Sequence, residues 1–97
     1  MLNEWPQALE RYSQKHPREV LRVEVESGGS RDVVIIYRGF SSSLMRATPK
    51  DPNQPVIPAH AQLLRLDRLE APWDPDHPQI IQANLDWLTI QELTEEG

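Results

Sequence analysis

Apolar residues in the first part of the chain follow a helical period. From Trp5 they recur at i, i+3, i+4 and i+7, so they share one face of a helix that we predict from about Glu4 to Gln14. His16-Pro17 ends this helix, because the residue before a proline is pushed out of the helical region.

A β-hairpin is predicted next. Between Leu21 and Glu26 apolar and charged residues alternate strictly, which is typical of a half-buried strand. Gly28-Gly29 supplies a turn. The run from Val33 to Tyr37 is apolar on both faces and mostly β-branched, which predicts a central strand.

The stretch from Gly39 to Ala61 has a different character. Gly39 marks a bend, and the serines at 41–43 are expected in an exposed turn or at a strand edge. Prolines then recur at every third residue, at positions 49, 52, 55 and 58. Because a polyproline II helix has three residues per turn, we predict a stiff loop that crosses the surface.

A third strand is predicted from Gln62 to Leu69, where four leucines lie close together. The three-residue proline spacing then returns at positions 72, 75 and 78, and Trp73 lies within it. This segment should again be a loop.

The last part of the chain is predicted to be helical. Asp76 or His77 is expected to cap a helix that has Pro78 in its first turn and an apolar stripe at positions 81, 85 and 88. Thr89 and Glu92 have the spacing of a capping box, which predicts a last short turn of helix.

Together these elements predict one α+β domain over residues 1–97. We expect an N-terminal helix, an antiparallel sheet of three or four strands, a long proline-spaced loop and a C-terminal helical segment against the sheet. An additional strand is expected from Leu44 to Thr48 or from Val56-Ile57. The main alternative is a small half-open β-barrel.

The distribution of charge divides the chain into two parts. The formal net charge is -5, yet all ten Lys and Arg lie within residues 1–68, whereas residues 69–97 hold seven acids and no base. The acidic part is either a solvated segment beside the body or a docking surface for a basic partner. Non-specific binding to nucleic acid is disfavoured, because it needs a concentrated basic surface.

Composition also bears on location. The chain has no cysteine, which excludes disulfides and thiolate chemistry. Met1 to Leu9 includes an early acid and no apolar run, so we expect no signal peptide. The longest apolar run, Val33 to Tyr37, is too short to span a bilayer. We therefore expect a cytoplasmic protein without membrane insertion.

No motif of catalysis or metal binding is present in the sequence. The three histidines lack the spacing of a paired metal site, and only the fold decides whether His60 and His77 come together. Gly39 to Ser43 lacks the second glycine of a nucleophile elbow. We therefore predict no enzyme, no cofactor and no metal site.

Three weaker binding hypotheses concern the middle of the chain. Arg38, Arg46 and Lys50 could converge with the serines on an anion. Residues 46–52 formally match the R-x-x-P-x-x-P string of SH3-domain ligands. Tyr37 and Phe40 could stack on nucleic-acid bases, but Tyr37 belongs to the central strand and Phe40 is expected in the core.

A family resemblance rests on three stretches of the chain: Arg38-Gly39-Phe40-Ser41-Ser42-Ser43-Leu44, Asp51-Pro52 through Pro55-Val56-Ile57-Pro58, and Asp67-Arg68-Leu69 with Ala71-Pro72. Over most of residues 18–80 the chain resembles a family of short uncharacterised proteins of cyanobacteria with relatives in chloroplasts. The resemblance implies a cytoplasmic or stromal protein that is accessory to photosynthetic machinery. It implies no catalytic residues.

These observations favour a non-enzymatic module for protein interaction or assembly. The alternative is a small-ligand or nucleic-acid binder that uses the face from Arg38 to Lys50. The sequence leaves the partner and the oligomeric state open. The residues expected to contact a partner are Arg38, Ser41, Ser42, Arg46, Lys50, Pro52, Pro55, Trp73, Asp74, Asp76 and Asp86.

Overall fold

The computed structural model describes residues 5–44, residue 57 and residues 60–96. Its elements, in chain order, are α1 (Trp5–Lys15), β1 (Glu19–Ser27), β2 (Ser30–Tyr37), β3 (Phe40–Ser43), β4 (Gln62–Glu70), β5 (Ile80–Gln82) and α2 (Trp87–Glu96). The predicted α+β class is confirmed, and the described residues form five strands where three or four were expected.

The strands form one antiparallel sheet in the order β3-β2-β1-β4-β5. The predicted hairpin is confirmed, with Ser27 paired to Ser30 across Gly28-Gly29. The strand predicted from Gln62 to Leu69 is also confirmed, and it pairs with β1. Because β3 and β5 lie at opposite edges, the sheet is open, and the half-open barrel is not the observed architecture.

The main core lies between the sheet and the two helices. α1 contributes Trp5, Leu9 and Tyr12, as its apolar period predicts, and α2 contributes Ile90. The alternating residues of β1 and β2 face these helices, because successive side chains of a strand point to opposite faces. The other buried members of this cluster are Leu21, Val23, Val25, Val34, Ile36, Ile57, Ala61, Leu66 and Leu85.

The structure has two further strands, β3 and β5, while most of the stretches from which an additional strand was expected lie outside the described residues. β3 begins directly after the Arg38-Gly39 turn, at Phe40, and pairs with β2. Of the expected strand from Leu44 to Thr48, only Leu44 is described, and it lies just past the end of β3. Val56 lies outside the described residues, and Ile57 is buried in the core outside any strand.

The predicted helix start at Asp76 or His77 was wrong. Ile80 and Ile81 belong to β5, because β4 offers them a strand edge that a local pattern does not reveal. The helix instead begins at Trp87 and is capped by Asp86, whose Oδ1 accepts the Thr89 backbone N–H at 2.7 Å. Thr89 is therefore inside the first turn and does not cap the helix.

Neither helix in the described part of the chain is long and apolar enough to cross a lipid bilayer. α1 spans eleven residues and α2 spans ten.

The turn between β2 and β3 rests against the end of α1. Gly39 has φ +88, and its N–H donates to Ser13 Oγ at 2.8 Å. A Cβ at Gly39 would lie 2.6 Å from Gln14 Cγ. The left-handed backbone conformation favours glycine at this position, and an added Cβ would also require the exposed side chain of Gln14 to move.

We expect Gly39→Ala to lower the free energy of unfolding by about 1–3 kcal/mol, because it combines left-handed strain with a steric clash. Gly29→Ala is the matched control, since Gly29 has φ +81 with nothing within 4 Å of its added Cβ. Urea denaturation should show the larger loss for Gly39→Ala and a partial recovery when Gln14→Ala is added. Equal losses for the two glycines would contradict the steric contribution.

Candidate functional site

The side of the sheet away from the helices, here called the open face, has an apolar and a charged region. Near the start of β1, one row of apolar side chains crosses all five strands: Phe40, Tyr37, Val20, Leu69 and Ile80. Further along β1 the open face carries charged residues such as Arg22 and Glu24. The apolar region is therefore bounded by charge on the side of Arg22 and Glu24.

The segment after β4 covers part of the apolar row. Ala71 and Trp73 pack against a small buried cluster of Val20, Ile35 and Leu69. The chain is held there by a backbone hydrogen bond from Ala71 N to Arg18 O at 2.8 Å. Trp73, expected from the sequence to contact a partner, is thus half-buried and also covers a second, smaller core.

Between Trp73 and β3 the open face has a groove of about 390 Å³, here called the aromatic groove. Its floor and walls are mostly apolar, and three of its side chains are aromatic. Sites of this composition, apolar with a few polar groups, are typical of ligand and peptide binding. The lining residues are Ile35, Tyr37, Arg38, Phe40, Ser42, Leu44 and Trp73.

Phe40 was expected in the core, and that expectation was wrong. Its side chain is 77% exposed, the largest exposure among the large apolar side chains of the described chain. Phe40 is paired with Tyr37 across a two-residue turn, so both side chains lie on the open face. The helices cover the opposite face, so no element in the described chain buries Phe40.

Arg38 lies at the mouth of the aromatic groove. It has φ +50, the left-handed conformation of a tight hairpin turn, and its guanidinium carbon lies 5.1 Å from the centroid of the Tyr37 ring. This is cation–π geometry. Arg38 is exposed and makes no ion pair with the described residues.

The serines do not converge on one site. Ser41 faces the helices and donates to Glu10 Oε2 at 2.8 Å, while Ser43 donates to both carboxylate oxygens of Asp32 at 2.8 Å. Ser42, on the opposite face, lines the aromatic groove. Since Ser41 and Ser43 already donate to carboxylates and Ser42 points away from them, the expected anion site with Arg38 does not form from these three serines.

Four of the predicted partner contacts lie outside the described residues, namely Arg46, Lys50, Pro52 and Pro55. The SH3-ligand string and the first proline series lie there as well.

The charged part of the open face is organised by Asp67, which is 2% exposed. Its Oδ2 accepts hydrogen bonds from Arg22 Nε at 3.0 Å and Nη2 at 2.9 Å. Its Oδ1 accepts from Arg65 Nε at 3.1 Å and from the Asn84 backbone N–H at 2.7 Å. Burial opposes ionisation of Asp67, but these hydrogen bonds outweigh it and lower its pKa below the ordinary value.

A second ionic group lies on the helix side of the sheet. Glu19 accepts from Arg68 Nε at 2.8 Å and Nη2 at 3.0 Å, and from the Tyr12 hydroxyl at 2.8 Å. Burial, together with the hydrogen bond to Glu19, raises the pKa of Tyr12 to about 12. Because Glu19, Arg68 and Tyr12 pair with one another, we interpret this group as structural.

The three acidic residues expected to contact a partner differ in their local roles. Asp74 holds a turn, since its Oδ1 accepts the Asp76 N–H at 3.0 Å. Asp86 caps α2, and its hydrogen bonds from Thr89 lower its pKa. Asp76 is exposed and its side chain forms none of these contacts. Of the three, only Asp76 is available to a partner without a local structural cost.

The two histidines left open by the sequence do not come together. His60 Nε2 lies 2.9 Å from Ser27 Oγ, at the end of β1. His77 is in the turn that follows β4, where Nδ1 lies 3.5 Å from Asp74 Oδ2. These positions are at opposite ends of the sheet. Among the described residues, no group of three or more His, Asp or Glu side chains has the arrangement of a metal site.

The sequence thus identified Arg38, Ser42 and Trp73 of the aromatic groove as partner contacts. It considered Tyr37 and Phe40 only for stacking on nucleic-acid bases, and it missed Ile35 and Leu44. A local feature of the sequence already places Tyr37 and Phe40 together. A two-residue turn at Arg38-Gly39 pairs residues 37 and 40 on one face. Which face of the sheet the helices cover depends on tertiary packing, so the sequence did not reveal that Phe40 is exposed.

The chain belongs to a family whose model is described as a domain of unknown function, DUF7734, and which matches residues 6–94. The match covers the five strands of the described chain and all but the terminal residues of the two helices. No curated protein and no solved structure matches the chain.

Proposed function

We propose that this member of the family is a non-enzymatic protein-interaction module that binds its partner at the aromatic groove. The observation that carries the proposal is the exposure of Phe40 beside Tyr37, Trp73 and Arg38. Phe40 is 77% exposed at the edge of an apolar groove, so the free protein leaves apolar surface in contact with water. A bound partner would shield this surface from water.

The residue types of the groove support a protein partner. Trp, Tyr and Arg are the residues that most often contribute large binding energies at protein interfaces. The Arg38–Tyr37 stacking and the packing of Trp73 on Ile35 hold these side chains in place before binding, which reduces the entropy lost on association.

The resemblance to cyanobacterial and chloroplast proteins adds a proposal about context. We propose that the protein acts in the cytoplasm or stroma and that its partner belongs to the photosynthetic machinery. Identification of the partner would test this directly.

A matched pair of variants tests the proposed function. Phe40→Ser removes the exposed aromatic of the groove, while Leu88→Ser changes a side chain of α2 that is 65% exposed and not part of the groove lining. We expect affinity capture from a nuclease-treated lysate of the source organism to recover a specific protein with the wild type and with Leu88→Ser, and to lose it with Phe40→Ser. Binding of the purified partner should show the same dependence. Equal capture by both variants would overturn the proposal.

Single-stranded nucleic acid is the second candidate. The exposed position of Phe40 removes one reason against it, because Tyr37, Phe40 and Trp73 now line one groove with an arginine. The net charge of -5 still opposes phosphate binding. A fluorescence anisotropy titration with a short oligouridine separates the two functions. The protein-interaction proposal predicts no saturable binding, and saturable binding lost in Phe40→Ser would favour the nucleic-acid function.

A further inference from the structure

The aromatic groove contains hydrogen-bond donors that are not used within the described chain. The Tyr37 hydroxyl and the Trp73 indole N–H have no hydrogen-bond partner among the described residues, and both are accessible to solvent. The Trp5 indole differs, because it donates to Ala61 O at 3.4 Å. Since buried tyrosine and tryptophan usually pair their polar atoms, a ligand that covers Tyr37 and Trp73 should supply acceptors.

The remaining polar side chains of the groove are also able to donate. Arg38 has guanidinium N–H groups and no acceptor, and it forms no ion pair or hydrogen bond within the described chain. The Ser42 hydroxyl is not paired with any described residue either. The other lining side chains, Ile35, Phe40 and Leu44, are apolar. The side chains that line the groove in the described chain therefore combine apolar surface with donors and include no obligate acceptor.

The groove is long enough for about four residues of an extended ligand. Its floor follows β2 and β3 from the pair of Tyr37 and Phe40 to Leu44, which lies opposite Val33. Phe40 and Leu44 are four residues apart in extended chain, which corresponds to about 13 Å. A polyproline II helix rises about 3.1 Å per residue, so four of its residues span about 12 Å. Two prolines three residues apart fit within this length.

A proline-rich segment is the ligand that matches donors of this kind. Proline has a carbonyl and no N–H, and a polyproline II helix has no internal hydrogen bonds, so its carbonyls are free to accept. An α-helix uses its carbonyls internally and would leave the donors of the groove unpaired. A β-strand brings an N–H with each carbonyl, for which the groove side chains offer no obligate acceptor. Aromatic-lined grooves are also a recurring site for proline-rich segments.

We infer that the aromatic groove binds a proline-rich segment of the partner protein in the polyproline II conformation, with an acidic residue of that segment beside Arg38. The Tyr37 hydroxyl and the Trp73 indole donate to carbonyls of the segment, and its proline rings pack on the aromatic rings. The acidic residue is called for because Arg38 is the charged residue of the lining and has no ion-pair partner in the described chain. This inference rests on the proposed function and specifies the chemistry of the partner. The groove opens on the face of the sheet, so binding does not require a free edge at β3.

Two conservative variants remove the donors and keep an aromatic ring at each position. Tyr37→Phe removes the hydroxyl, and Trp73→Phe removes the indole N–H and leaves a smaller ring against the buried cluster. Tyr12→Phe is the matched control, since it loses a hydroxyl on the helix side of the sheet. The probe is a fluorescein-labelled peptide of about nine residues, three turns of polyproline II, that repeats proline, proline and glutamate.

We expect saturable binding of this peptide to the wild type and to Tyr12→Phe, with affinities within about twofold of each other. Tyr37→Phe and Trp73→Phe should each weaken binding about fivefold, the effect of one hydrogen bond. Arg38→Gln should weaken it about threefold at low salt and by less at high salt. In ¹⁵N-correlated NMR spectra the indole signal of Trp73 should shift on binding, whereas that of Trp5, whose N–H already has a partner, should not.

Two control peptides test the chemistry of the segment. A peptide that repeats alanine, alanine and glutamate keeps the charge without proline and should bind at least about tenfold more weakly. A peptide that repeats proline, proline and lysine should bind at least about threefold more weakly, because it places a cation beside Arg38. Proline recognition is overturned if the wild type shows no saturable binding, if the alanine peptide binds equally, or if Tyr37→Phe with Trp73→Phe binds unchanged. Equal binding of the lysine peptide overturns the acidic requirement.

The chain's own prolines at positions 49, 52 and 55 are the alternative occupant, and they lie outside the described residues. Replacing all three by alanine in the full chain should leave the affinity for the proline–glutamate peptide within about twofold, because a groove that is free in the wild type gains nothing from their removal. A gain of about tenfold or more would identify this series as the occupant, in the same or in a second copy, and overturn the inference of a separate partner.

The outcomes for the two proposals are distinguishable. If Phe40→Ser loses the natural partner and Tyr37→Phe with Trp73→Phe retains it at wild-type affinity, the groove is the interaction site and proline recognition is wrong. If both retain the partner, both proposals fail. If both lose it, and alanine at the prolines of the partner's bound segment has the same effect, both proposals are supported.

Discussion

Replacing Asp67 by Ala should lower the free energy of unfolding by about 3 kcal/mol, the lower end of the range for removing one member of a buried ion pair. The variant leaves Arg22, Arg65 and the Asn84 N–H without their shared acceptor. The lower end applies because the Arg22 and Arg65 side chains are 26% and 42% exposed and regain water. Urea denaturation at neutral pH measures the loss.

Glu24→Ala is the control for Asp67→Ala. Glu24 lies on the same face of β1, is half-exposed and pairs in register with Arg65. Its replacement should change stability by no more than about 0.5 kcal/mol. If Asp67→Ala and Glu24→Ala lowered the free energy of unfolding equally, the hydrogen bonds to Asp67 would not be the cause of the loss.

The effect of Asp67 should also depend on pH. Its pKa in the folded protein is lowered from the ordinary value of 3.8, so its contribution to stability is present above that value and is lost as the pH falls through the folded pKa. The difference between the wild type and Asp67→Ala should therefore be constant near neutrality and shrink at acidic pH. A difference that stays constant into strong acid would contradict an ionised Asp67 in the fold.

The second large effect is expected for Trp73→Ala, which should lower the free energy of unfolding by about 2–3 kcal/mol. Trp73 packs against Val20, Ile35 and Leu69, the buried cluster of the open face. The loss should fall below the range of about 3–5 kcal/mol for fully buried aromatic side chains, because Trp73 is half-buried.

Phe40→Ala provides the contrast within the same groove. Phe40 is 77% exposed, so its replacement should change stability by no more than about 0.5 kcal/mol. Urea denaturation of the two variants should therefore separate a residue that stabilises the fold from one available for binding. A large loss of stability in Phe40→Ala would contradict the exposed position on which the proposed function depends.

The fold does not place all of the acids of the C-terminal part together. Of the seven acids of residues 69–97, Glu70, Asp74 and Asp76 lie at the end of β4 and in the turn before β5, whereas Asp86 caps α2 and the other three lie within α2. The sequence left two interpretations of this part open, a solvated segment or a docking surface for a basic partner. Because Asp74 and Asp86 have local structural roles, we propose the aromatic groove as the partner site, to which this segment contributes Trp73.

The elements with a strong local pattern were predictable from the sequence. The helical period from Trp5, the alternation from Leu21 and the Gly28-Gly29 turn each depend on neighbours within a few residues. They fixed α1 and the first hairpin, and with them the α+β class. The segment from Gln62 was also predictable, because its leucines and its length suit a strand.

Tertiary structure decided what depends on residues far apart in the chain. Ile80 and Ile81 form a strand because β4 offers them an edge, although a helical stripe is also present in the sequence. Phe40 is exposed because both helices pack on the other side of the sheet, and Trp73 reaches the groove because the chain crosses the open face after β4. The sequence alone determined the apolar alternation of β1 and the continuous apolar run of β2, whereas only the packing of the helices decided which face of the sheet stays open to a partner.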